Sequence, residues 1–168
     1  ALQHLERARK LNAKINLDKN IRLAIGSCYW VKNDIDRAIN TLESLISDYS
    51  YVNAHVYTTL GYFYILKNDY DKAMEYSKKA IDDNPEHAAA WDNVGQIYFR
   101  QDNYSDARAS FEKALKYKGD MVDSLYYLGL IYEKDGEPDK AFECFSKAKK
   151  CNISNLNTVT EEQVLEKY

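Results

Sequence analysis

Apolar residues recur along the chain in two alternating stripes, each with the spacing of one face of an α-helix. Measured from a central glycine, offsets −4, −1, 0 and +3 hold Arg22, Ile25, Gly26 and Tyr29, then Tyr57, Leu60, Gly61 and Tyr64. The same offsets hold Trp91, Val94, Gly95 and Tyr98, and finally Leu125, Leu128, Gly129 and Tyr132. Steps of three and four residues keep these side chains on one side of a helix. A second stripe starts twelve residues after each glycine, at Ala38, Ala73, Ala107 and Ala141. It continues through Leu42 and Leu45, Ser77 and Ala80, Phe111 and Ala114, and Phe145 and Ala148. Asn33-Asp34, Asn68-Asp69, Asp102-Asn103 and Gly136-Glu137 separate the stripes. Such residues suit a tight turn that ends in a helix N-cap. Pro138 falls in the first helical turn, where the missing N–H has no intrahelical partner to lose.

The four glycines are 35, 34 and 34 residues apart, and the alanines keep the same phase. A period of this length marks a stack of helix-turn-helix units. A glycine inside a helix costs ~1 kcal/mol relative to alanine, so close packing between the paired helices has to return that loss. One helix pair leaves an apolar side uncovered, and the next pair covers it, which predicts an α-solenoid of nearest-neighbour contacts.

The order Trp91, Val94, Gly95, Tyr98, Ala107, Phe111, Ala114 resembles the tetratricopeptide repeat signature nearly complete. A second copy runs through Tyr57, Leu60, Gly61, Tyr64, Ala73 and Ala80 to a closing Pro85, and a fourth from Leu125 to Ala148. The resemblance implies an all-α, right-handed superhelix of stacked antiparallel helix pairs, with units over 19–53, 54–87, 88–121 and 122–155. The first unit departs most from the pattern, with Arg22 at an apolar position, Leu45 in place of alanine and Ser50 in place of proline. The Gly/Tyr/Ala pattern and the acidic balance disfavour pentatricopeptide repeats, an RNA-binding relative.

Ala1, Leu5 and Ala8 have the spacing of a second repeat helix, so residues 1–14 are expected to be the second helix of a preceding unit, with 1–18 joining it to the first full repeat. After Lys150 the periodicity ends. Thr160 and Gln163 resemble a capping box opening a last polar helix with Val164, Leu165 and Tyr168. Residues 156–168 are thus expected to cap the stack or to begin a linker.

Charge and chemistry narrow the function. A net charge of −3 and a pI near 5.7 argue against nucleic acid, because phosphate binders carry clustered basic surface. No apolar run reaches the ~18 residues that span a bilayer, and mean hydropathy is −0.61. Cys28, Cys144 and Cys151 form no C-x-x-C pair, which suggests reduced thiols and a cytoplasmic setting. His4, His55 and His87 have no metal or catalytic partner at a useful spacing. Asp34/Asp36 and Asp69/Asp71 sit where helix starts favour acids. A non-catalytic chain without cofactor or metal is expected.

In proteins of the resembled family the first helices line a concave groove. By that resemblance the groove here would present Trp30 from the first unit and His55, Thr58 and Tyr62 from the second. The third would offer Asp92, Asn93, Gln96, Phe99 and Arg100, and the fourth Asp123, Tyr126 and Tyr127. Amides for a peptide backbone and aromatic surface for apolar side chains favour protein recognition. A lysine/arginine clamp for a C-terminal carboxylate is absent from the matching positions, where only Asn93 is compatible. The expected partner is a protein or peptide segment. Alternatives are end-to-end self-assembly into a homo-oligomer and a substrate-recruiting arm of a larger enzyme.

Overall fold

A computed structural model describes residues 1–10, 15–49, 52–151 and 157–167. Ten helices occur among them: α1 (Leu2–Lys10), α2 (Ile15–Val31), α3 (Ile35–Asp48), α4 (Ala54–Leu66), α5 (Tyr70–Asp83), α6 (Ala88–Arg100), α7 (Tyr104–Tyr117), α8 (Val122–Lys134), α9 (Pro138–Lys150) and α10 (Glu161–Glu166). Helices α2 to α9 pair as α2/α3, α4/α5, α6/α7 and α8/α9. Successive pairs stack through α3 on α4, α5 on α6 and α7 on α8, while α4 also meets α6 and α6 meets α8 along the inner side. The architecture is the expected all-α solenoid.

The inter-helix turns show how the sequence sets this geometry. Asn33, Asn68, Asp102 and Gly136 adopt φ of 61°, 59°, 58° and 75°, a left-handed conformation that glycine, Asn and Asp tolerate best. In the first three turns the next residue is the N-cap. Asp34, Asp69 and Asn103 accept the backbone N–H of Arg37, Lys72 and Asp106, satisfying a donor that the helix leaves open. Glu137 takes the cap position of α9 without a side-chain cap bond, and Pro138 begins the helix.

The alanines Ala38, Ala73 and Ala107 are fully buried, as are Leu42, Leu60, Phe63 and Phe111. Phe111 and Phe145 press against glycines of the facing helix. A Cβ placed on Gly95 would lie 2.6 Å from Phe111 Cδ1, and one on Gly129 would lie 2.6 Å from Phe145 Cε1. The glycine therefore admits an aromatic ring four residues beyond the paired alanine, a larger partner than the alanine methyl itself.

Arg22, which breaks the apolar pattern in the first unit, is also buried. Its guanidinium pairs with Asp18 at 2.8 Å and with Asp48, and donates to Ser44 Oγ at 3.1 Å. A buried charge is tolerated when it is paired and hydrogen-bonded in this way. At the amino end, α1 covers Leu2–Lys10 of the stretch expected to be helical, and residues 11–14 lie outside the described residues. It docks on α2, where Tyr29 donates to Glu6 at 3.1 Å and Arg9 pairs with Asp18. At the other end Thr160 and Gln163 form the capping box of α10. Val164 is buried, Leu165 is 50% exposed and Tyr168 lies outside the described residues. Ser50 and Asn155, at expected unit ends, also lie outside them.

Candidate functional site

Helices α4, α6 and α8 bring most of the groove candidates onto one inner face. Seven of the twelve are nonetheless buried: Thr58, Tyr62, Asp92, Asn93, Gln96, Asp123 and Tyr126. Trp30, Phe99, Arg100 and Tyr127 are half-buried, and His55 is exposed. The accessible surface is thus aromatic and cationic, and a polar ladder lies beneath it.

The ladder ties neighbouring units together. Asn93 Nδ2 donates to the Thr58 carbonyl at 2.9 Å, linking α6 to α4. The Thr58 hydroxyl lies 3.5 Å from His87 Nδ1. Gln96 Nε2 donates to Asp92 Oδ2 at 2.8 Å and to Asp123 Oδ2 at 3.3 Å. Its Oε1 accepts from Arg100 Nη1 at 3.2 Å and from Thr158 Oγ1 at 3.0 Å. Gln96 is completely enclosed yet fully partnered, which is the condition under which a buried amide is stable. Ser124 Oγ donates to the remaining oxygen of Asp92.

Two carboxylates one amide apart cannot both ionise cheaply in such surroundings. Burial, with the neighbouring Asp123 charge, pushes the Asp92 carboxyl up to about 7, against hydrogen bonds from Ser124 and Gln96. Burial also raises Asp123, against hydrogen bonds from the Thr158 and Val159 amides. Both shifts run in the same direction, so the pair holds on to a proton at a higher pH than free aspartates would. Burial raises the Tyr62 hydroxyl as well, with the charges of Asp123 and Asp92 adding to the effect.

Aromatic rings bridge the same units. Trp30 meets Tyr62 edge-on at 6.0 Å between centroids, and Phe99 meets Tyr127 at 4.8 Å. Tyr127 also stacks on Phe111 at 5.8 Å, and Tyr126 contacts both Tyr127 and Phe145. The Arg100 guanidinium lies over the Tyr127 ring at 5.6 Å. These rings partly hold units together, and Trp30, Phe99 and Tyr127 keep part of their surface exposed.

Sequence reasoning missed two features. One is the carboxylate pair, because Asp92 and Asp123 occupy different offsets in their units and no fixed spacing marks them. The other is a segment of the chain itself. Thr158 N–H donates to Asp123 Oδ2 and Val159 N–H to Asp123 Oδ1, each at 3.0 Å. Thr158–Val159 therefore lies on the inner face at α6 and α8.

Among the described residues no group of three or more His, Cys, Asp or Glu is placed to hold a metal, and no helix is long and apolar enough to cross a membrane. A separate depression at the amino end, between α1 and α2, is lined by Leu2, His4, Ser27, Cys28 and Val31 among others.

Residues 1–127 match the family model of tetratricopeptide repeat protein 21 C-terminal ARM domain, and residues 122–155 match the tetratricopeptide repeat model. The general transcriptional corepressor ssn6 of Schizosaccharomyces pombe is 27% identical over 149 residues, covering 86% of this chain and 13% of that protein. The TPR repeat-containing protein MJ1428 of Methanocaldococcus jannaschii is 28% identical over 177 residues, covering 99% of this chain and 30% of that protein. The chain thus spans less than a third of either relative. A crystal structure of MamA shares the fold with a TM-score of 0.68 at 22% identity, over 99% of this chain and 90% of that one. YrrB, described as a TPR protein with an unusual peptide-binding site, aligns with a TM-score of 0.66 at 18% identity, over 98% of this chain and 84% of that one. With one model matching three quarters of its length and its glycines, alanines and turns in the family's register, this chain belongs to the tetratricopeptide repeat family.

Proposed function

We propose that the protein is a non-catalytic scaffold that binds an extended polypeptide segment along the inner face of α4, α6 and α8. The observation that carries this reading is the layering of that face. Trp30, His55, Phe99, Arg100 and Tyr127 remain accessible above a buried, fully bonded ladder. A rigid base with aromatic and guanidinium groups on top is the composition of a recognition hot spot, since Trp, Tyr and Arg dominate binding energy where they are well supported. The printed description of YrrB as a peptide-binding repeat protein adds support by analogy of fold.

The burial of Tyr62 and Asn93 decides which variants test this. Both are structural here, so their loss would report on stability. His55 and Arg100 are better probes. Peptides selected from a random display library on the immobilised chain are expected to bind the His55→Ala, Arg100→Gln double variant, which keeps a donor for Gln96 and adds no carboxylate beside Asp92, at least about tenfold more weakly, a loss of about 1.4 kcal/mol. Lys78→Glu, on the exposed side of α5, is expected to leave affinity within about twofold. Fluorescence anisotropy reads both, with helical content and melting checked by circular dichroism. Equal affinity for the parent and the double variant would remove the inner face as the binding surface.

A further inference from the structure

We propose that Asn157–Thr160 is an intramolecular ligand of the inner face, and that the site it fills recognises a bent, non-helical segment with a hydroxyl residue followed by a β-branched apolar residue. The inference rests on the groove reading above and names the ligand chemistry of its carboxy-terminal half.

The contacts divide into two kinds. Consecutive N–H groups of Thr158 and Val159 donate to the two oxygens of Asp123, at 3.0 Å each. One carboxylate thus grips a passing backbone by charge-assisted hydrogen bonds, and it would grip any non-proline residues there. The side chains supply the selectivity. Thr158 Oγ1 donates to Gln96 Oε1 at 3.0 Å and lies 3.4 Å from the Tyr127 hydroxyl, so α6 and α8 both read one hydroxyl. Val159 is 2% exposed and packs with Val122, Leu125, Tyr126 and Phe145. A buried branched side chain beside a bonded hydroxyl defines a Thr-Val or Ser-Ile type of dipeptide.

The manner of attachment resembles binding of a separate segment. Thr158 and Gln96 are 62 positions apart in the chain, and Asp123 lies 35 positions before Thr158. Residues 157–160 belong to no helix. Their two amides are satisfied by a side chain, so their docking site is made from groove residues and not from the repeat backbone. The six-residue α10 that follows buries Val164 in the same cluster as Val159, and its far end adds a Lys167–Glu133 ion pair at 2.6 Å, a tether of small energetic value. A partner offering the same dipeptide would compete with the chain's own copy, which would keep weak ligands out.

The test uses the full chain and a fluorescein-labelled peptide, Asn-Thr-Val-Thr-Glu-Glu-Gln, which copies residues 157–163. In the parent, amide hydrogen exchange at Thr158 and Val159 is expected to be at least about tenfold faster than in α7, and to accelerate further with millimolar unlabelled peptide. Val159→Asp is expected to bind the labelled peptide at least about tenfold more tightly than the parent, and adding Asp123→Asn is expected to cancel the gain. The proposal is overturned if Thr158 and Val159 exchange only as slowly as the α7 core and ignore the peptide. It is also overturned if folded Val159→Asp binds no better than the parent. Should that variant fail to fold, the exchange measurement on the parent decides alone. If library-selected peptides still depend on His55 and Arg100 while the copied peptide fails both arms, the self-ligand is refuted and the groove stands. Failure of both peptide classes refutes both.

Discussion

Replacing Gly95 with alanine is expected to destabilise the fold by about 2 kcal/mol, although alanine is the better helix former. The added methyl would sit 2.6 Å from two carbons of the Phe111 ring, which is completely buried and cannot swing aside. Forcing an extra carbon into a filled core costs about 1–3 kcal/mol, with the upper end apt for so close an approach. About 1 kcal/mol of helix propensity returns. Phe111→Ala alone is expected to cost about 3–5 kcal/mol through the cavity it leaves. The double variant should cost at least about 1 kcal/mol less than the sum, because the alanine methyl enters the vacated space. Urea denaturation of the four proteins measures this, and strict additivity would contradict the glycine–ring interlock. The other glycines give a ranking. A Cβ on Gly61 meets Ser77 Oγ at 2.7 Å, and one on Gly26 meets Leu42 at 3.2 Å. Gly129→Ala should match Gly95→Ala, Gly61→Ala should cost less, and Gly26→Ala should be near neutral.

The second large effect is a pH dependence carried by Asp92. Its folded-state pKa is raised by burial to about 7, from an unfolded value near 3.8. A raised carboxyl pKa means that the folded protein holds the proton more tightly. The associated stability is complete below about pH 3.8, and is lost as pH rises through about 7. A shift of this size corresponds to about 4 kcal/mol at most, and an asparagine in the same place would keep the uncharged shape. Its amide can donate to Ser124 Oγ while its oxygen accepts from Gln96. Asp92→Asn is therefore expected to be more stable than the parent by on the order of 2 kcal/mol at pH 8, and by roughly 1 kcal/mol or less at pH 5, where the unfolded carboxyl is already ionised and the folded one is not. The groups facing Asp92 are Asp123 and Ser124 from α8, Gln96 and Arg100 from α6 and Tyr62 from α4. Comparing the two proteins at each pH removes carboxylates elsewhere, such as Glu137 and Glu143, whose pKa values are lowered by Lys140 and Lys147. Chemical denaturation at pH 5, 6, 7 and 8 reads the difference. A gap that does not widen with pH would contradict the raised Asp92 pKa.

The two cases also show what periodicity can reveal. Gly26, Gly61, Gly95 and Gly129 share one phase, which was enough to predict helix pairs, turns and stacking. Their energetic inequality was hidden, because it depends on whether Leu42, Ser77, Phe111 or Phe145 faces the glycine at contact distance. A helical wheel places Asp92, Asn93, Gln96 and Asp123 on the side away from the intra-pair contact, and from one unit alone that side reads as open. In the stack the adjacent unit closes over it, so these residues bond to one another. Thr158–Val159 was invisible to the repeat argument because the segment lies beyond the last regular copy. Its docking depends on Gln96 and Asp123, residues distant in sequence. The capping box at Thr160 and Gln163 was readable because its signal is local.

The central claim is that the inner face of the helix stack binds polypeptide, and the most direct measurement is a map of where a ligand lands. The chain is labelled with ¹⁵N, and the tightest library-selected peptide is titrated while backbone amides and the Trp30 indole N–H are followed by NMR. The account predicts that the largest shifts fall on Trp30, His55, Phe99, Arg100 and Tyr127, with α5, α7 and α9 nearly silent. Shifts concentrated on the outer helices, around exposed Tyr117 and Phe142, would contradict it.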